Sequence, residues 1–97
     1  MVELTYEELN TIHRLARLID STLRYCKVKK YDNEKALWEL GKIENIVYYW
    51  DVRPQIISIM RSGNQHEYVF FVGDKEVIIV FDLNEYTITN IKILTRE

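Results

Sequence analysis

Side chains suited to nucleophilic, acid–base or metal chemistry are few in this sequence, and they lie far apart. The two histidines are His13 and His66, and Cys26 is the single cysteine. His13 is expected on the polar face of a helix and His66 beside a hairpin turn. Cys26 falls in an apolar helical stripe, where a free cysteine packs as a small hydrophobe. No Ser, His and Asp grouping, Cys-x-x-Cys pair or His-Glu-x-x-His pattern accompanies them. Gly63 and Gly73 are isolated turn glycines, so no loop is built to cradle phosphate. These residues predict no catalytic site, no metal site and no cofactor. The chain reads as a non-enzyme.

Charge offers a second kind of chemistry. Between residues 13 and 30 lie Arg14, Arg17, Arg24, Lys27, Lys29 and Lys30, opposed by Asp20 alone. Arg14, Arg17, Arg24 and Lys27 could form an exposed stripe for nucleic-acid phosphates or an acidic protein. The plainer reading is helix-dipole dressing, with Glu7 and Glu8 in the first turn and the lysines in the last. Asp20 can also pair with Arg17 and Arg24 at helical spacing. The net charge of −2 argues against a generic polyanion binder. Dipole dressing is the preferred reading.

Elements that would carry these residues follow from periodicity and end signals. Thr5-Tyr-Glu-Glu8 fits a capping box, with Leu4 and Leu9 placed as a hydrophobic staple. Leu9, Ile12, Ala16, Ile19, Leu23 and Cys26 then recur at spacings of three and four, predicting a helix over about residues 6–28. Asp32 or Asn33 can cap a second helix over about 33–50, carried by Ala36, Leu40, Ile43, Val47 and Trp50. Gly41 and the β-favouring run Ile46–Trp50 support a competing strand over 45–51. The apolar spacing passes through the glycine, which favours the helix.

Beyond Pro54 the pattern changes to strands, over about 55–61, 66–72, 75–82 and 86–94. Gly73-Asp74 suits a two-residue hairpin turn, which would set Val72 opposite Lys75 and Phe70 opposite Val77. One hairpin face then reads Tyr68, Phe70, Val72, Val77, Ile79 and Phe81. The other carries Val69, Phe71, Ile78 and Val80 between Glu67, Glu76 and Asp82. Short connections imply an antiparallel meander with both helices on one face. The expected fold is a single α+β domain over 1–97.

Two helices can cover one broad face of such a sheet. Val69, Phe71, Ile78 and Val80 would therefore seek a partner, and a second copy is the simplest one. A stripe of Trp38, Lys42, Asn45 and Tyr49 on the second helix is another candidate anchor surface. The function these features predict is a small regulatory or inhibitory protein-interaction module, homodimeric, with nucleic-acid association through helix 1 as the alternative. Neither a secretory h-region nor an apolar run long enough for a membrane span is apparent, which predicts a cytoplasmic address without membrane partners.

Overall fold

The computed structural model describes residues 3–96. Helix α1 spans Tyr6–Lys29 and begins on the anticipated box. Thr5 Oγ1 accepts from the Glu8 N–H at 3.0 Å, and Glu8 Oε1 accepts from the Thr5 N–H at 2.8 Å. Two otherwise orphaned donors are satisfied reciprocally. At the far end Lys30 takes the left-handed conformation (φ 57°), and the Tyr31 N–H reaches back to the Cys26 carbonyl. This is a Schellman-type stop with lysine where glycine is usual. The buried stripe is Ile12, Leu15, Ile19, Leu23 and Cys26, whereas Leu9 and Tyr25 lie at its exposed margins.

The second helix is bent. Segment α2 (Asn33–Gly41) is capped by Asp32, whose Oδ1 accepts from the Lys35 N–H at 2.8 Å. Segment α3 (Ile43–Val47) follows after a single residue. At the joint the Lys42 N–H is shared between the Trp38 and Glu39 carbonyls, at 3.3 and 3.2 Å. The Asn45 N–H then bonds Lys42 at 3.1 Å, so the backbone tightens to three-residue bonding. Gly41 accounts for the weak point, since glycine holds helical geometry least well. The apolar stripe survives the bend: Ala36, Leu40, Ile43 and Val47 are all buried. The β-favouring run therefore stays helical to Val47 and continues as turns instead of a strand.

Four strands complete the chain: β1 (Gln55–Ser62), β2 (Gln65–Val72), β3 (Lys75–Asp82) and β4 (Thr87–Thr95). They form one antiparallel meander in order β1-β2-β3-β4. Val72 pairs with Lys75, Phe70 with Val77 and Tyr68 with Ile79, the register that a Gly73-Asp74 turn dictates. Bulges interrupt β1 between Ile56 and Ser58 and the β3–β4 ladder beside Val80 and Phe81.

Both helices lie on one sheet face. Leu15, Ile19, Leu23, Leu40 and Ile43 pack with Tyr68, Phe70, Val77, Ile79 and Phe81 into one core. The Tyr68 hydroxyl donates to the Leu40 carbonyl at 3.2 Å, tying β2 to the end of α2. The N-terminus of α1 is clasped to the β2–β3 turn. There Lys75, almost fully buried, pairs with Asp74 and approaches Glu8 Oε2 at 3.6 Å. The shortest dimension of the molecule is 18 Å, enough for a sheet and one helical layer and no more.

Candidate functional site

No helix or strand of the described residues covers the reverse face of the sheet. Cross-strand pairing arranges it in three rows. The central row runs Ser58, Val69, Ile78 and Lys92. One flanking row runs Gln55, Phe71, Glu76 and Leu94, and the other Met60, Glu67, Val80 and Asn90. None of Val69, Phe71, Ile78 and Val80 belongs to the helix-backed core. The pairing places all four together on one side, as the alternation implies.

How these residues meet solvent differs from a simple exposed patch. Val69 and Val80, on the two central strands, are only 6% and 7% exposed, shielded by neighbouring side chains on the sheet. Phe71 and Ile78 are half-buried. Larger apolar exposure lies on the edge strands, where Met60 and Leu94 are each 49% exposed and Ile57 is 44% exposed. Ile57 occupies the bulge of β1, so simple alternation along that strand does not assign its side. Met60 and Leu94 lie at the two edges, separated from Val80 and Phe71 within their rows by Glu67 and Glu76.

Charges of both signs border this surface. Glu67 and Glu76 stand beside Val80 and Phe71, and Lys92 stands beside Ile78. Arg96 lays its guanidinium 3.9 Å from the Phe71 ring centroid and donates to the Gly73 carbonyl at 3.2 Å. Asp82, expected on the rim, accepts from the Asn84 N–H at 2.7 Å and shapes the β3–β4 turn.

The second-helix stripe is only partly assembled. Trp38 is exposed, with Lys35 and Lys42 ammonium groups each 4.3 Å from its ring centroid. Lys42 also pairs with Glu39 at 2.7 Å. Past the bend, Asn45 is exposed, and Tyr49 packs edge-on against Tyr48. On α1, Arg14 stacks 4.1 Å over Trp50, and Arg24 pairs with Asp20 at 3.1 Å. Arg17 and Lys27 are exposed. Two of the four cations in the proposed stripe thus already have partners within the chain.

The chemistry-bearing residues remain apart. Cys26 is fully buried, and burial, reinforced by the charge of Glu39, pushes its thiol up from the ordinary value. Its thiolate is correspondingly disfavoured at neutral pH. His13 is exposed on α1. His66 stacks on Phe81 with ring centroids 5.5 Å apart. Burial, followed by the nearby Arg61 charge, holds its imidazole below the ordinary value. Among the described residues no cluster of three His, Cys, Asp or Glu side chains is placed to hold a metal ion. No helix there is long and apolar enough to cross a membrane. Comparison with known proteins finds no matching family model, no similar curated protein and no similar solved structure.

Proposed function

We propose that this chain is a small non-enzymatic regulatory or inhibitory protein-interaction module that works as a homodimer through the uncovered face of its sheet. One observation carries the reading: an apolar centre of Val69, Phe71, Ile78 and Val80, with Met60 and Leu94 beyond Glu67 and Glu76 at the two edges, has no layer of the described residues over it. Apolar sheet faces of this breadth are ordinarily buried against a second layer. Burying one large side chain contributes about 1.5–3 kcal/mol, although association entropy and side-chain ordering offset much of the total. Phe71 and Ile78 supply the aromatic and aliphatic centre that a contact of this kind requires.

The border charges favour a second copy over an unrelated protein of one charge sign. A two-fold interface brings a patch against itself, so it needs both signs beside its apolar centre. Glu67 and Glu76 provide one sign, Lys92 and Arg96 the other. Trp38, Lys42, Asn45 and Tyr49 lie away from the sheet face in such a dimer and would meet the regulated protein, with Lys42 already paired to Glu39. The alternative reading, nucleic-acid association through Arg14, Arg17, Arg24 and Lys27, has less support because Arg14 and Arg24 are engaged by Trp50 and Asp20.

Sedimentation over a wide concentration range tests the proposal. The wild type should dimerise, and Phe71→Glu or Ile78→Lys should give folded monomers, because each places charge where the two sheets meet. Ile79→Lys, on the core side, should instead unfold the chain. A wild type that stays monomeric at every concentration would refute the dimer. Saturable binding of labelled single or double strands, abolished by Glu at Arg17 and Arg24, would favour the nucleic-acid reading instead.

A further inference from the structure

At one end of the domain, the β1–β2 and β3–β4 turns converge on the start of α2 and line an open pocket of ≈ 400 Å³, with Asn33, Arg61, Asn64 and Asn84 exposed at its mouth. That volume lies within the range of small-molecule sites. The pocket belongs to the helix-backed side of the fold, and nothing in it depends on the dimer proposed above. Its walls combine Arg61 and His66 with the amides of Asn33, Asn64 and Asn84, and Leu37 and Leu83 supply the apolar part.

The polar groups of this pocket favour an anion. Among the described residues no carboxylate lines it. The acids that adjoin its lining residues in sequence, Asp32, Glu34, Glu67, Asp82 and Glu85, lie outside the lining; of these Asp32 accepts from the Lys35 N–H and Asp82 from the Asn84 N–H. Arg61 is held in place by its Nε–H, which donates to the Gly63 carbonyl at 3.1 Å. That anchor leaves its two η nitrogens for a ligand, the half of the guanidinium that grips oxyanions in fork geometry.

His66 sets the neutral part of the recognition. Its Nδ1 is buried and has no hydrogen-bond partner. A proton there would be a dry N–H without an acceptor, so the tautomer protonated on Nε2 is the less costly one. Stacking on Phe81 fixes the ring plane. His66 thereby supplies a neutral donor beside a permanent cation, and the two do not compete for charge.

We propose that this pocket binds a small organic anion, its oxyanion held by the free η nitrogens of Arg61 and its apolar body seated against Leu37 and Leu83. The three amides complete the polar shell, and the leucines select against a bare inorganic ion.

Amide-resolved NMR titration of the full chain with acetate, benzoate and methyl phosphate tests this. Benzoate should give saturable shifts centred on Arg61, Asn64, His66 and Asn84, at lower concentration than acetate. Arg61→Gln should weaken it by about tenfold or more, the usual worth of a charge-assisted hydrogen bond. Leu37→Asn should remove the advantage of benzoate over acetate. The methyl phosphate arm decides whether the oxyanion is a carboxylate or a phosphate ester. Shifts that never saturate, that scatter over the surface cations, or that survive Arg61→Gln at unchanged affinity would overturn the proposal. Because sedimentation reads the opposite sheet face, failure here leaves the dimer standing, and the reverse holds equally.

Discussion

Replacing Tyr68 with Phe deletes one oxygen from the most closely packed part of the molecule. Tyr68 is fully buried, and its hydroxyl is the hydrogen-bond link from β2 to the end of α2, donating to the Leu40 carbonyl at 3.2 Å. Phe fills the same space, so the cost is the hydrogen bond with little cavity term. A net loss of about 0.5–1.5 kcal/mol follows. For a domain of this size, 1 kcal/mol corresponds to about 4–8 °C in Tm. The same side chain makes a second, independent signature. Burial first, and then the Glu44 charge, raise its hydroxyl well above the ordinary tyrosine value. The folded state therefore keeps this proton at a pH where the unfolded state releases it. Stability from this group is complete below the unfolded value of about 10 and falls as pH rises past it. Tyr31 is shifted in the same direction, chiefly by the neighbouring Tyr25, and remains in both proteins. Denaturant melts of wild type and Tyr68→Phe from neutral to alkaline pH should show a lower midpoint in the variant at neutral pH and a shallower alkaline decline. Identical midpoints, or parallel alkaline limbs, would refute the buried link between α2 and the sheet.

Other expectations follow from single contacts. Thr5→Ala should cost about 0.5–2 kcal/mol, read as a lower denaturant midpoint at unchanged slope, because the Glu8 N–H loses its acceptor. Gly73→Ala should destabilise by about 1–2 kcal/mol through its φ of +57° alone, with added strain from a Cβ placed 2.9 Å from Glu8 Oε2. His66 should make the protein acid-sensitive. Its folded value lies below the ordinary imidazole value, so as pH falls the unfolded state takes the proton first, and stability drops from about pH 6.5 down to the folded value. Melts of His66→Gln between neutral and mildly acidic pH should lack that decline, and an unchanged acid limb would contradict the assignment.

What the sequence disclosed depended on how local each determinant was. The start of α1 was legible because Thr5, Glu8 and the backbone between them form a self-contained unit. The central hairpin was legible because a two-residue turn at Gly73-Asp74 fixes every later pair. From that register came the side shared by Val69, Phe71, Ile78 and Val80. The bend at Gly41 was visible only as a weakness, since helix or strand over the following residues is decided by what Ile43 and Val47 pack against. Met60 was not assigned to the open surface, and Ile57 to neither side, because the β1 bulge breaks the alternation by which a side would be read. The shielding of Val69 and Val80 depends on neighbours two strands wide, which no single segment encodes. The anion pocket draws on two turns and the start of α2, with Arg61 and Asn33 separated by 28 positions in the chain. Asparagines in turns read as turn formers first, and their convergence belongs to the fold.

Contacts between copies can be observed directly on the uncovered face. In a dimer mixed from isotope-labelled and unlabelled chains, isotope-filtered NMR records only the proximities that cross the interface. The Phe71 ring should show intermolecular contacts with the methyl groups of Ile78, Val80 or Leu94, and none with Ile79 or Phe81 on the core side. Intermolecular contacts confined to α1 or α2, or none at concentrations where sedimentation reports a dimer, would contradict the assignment of this face.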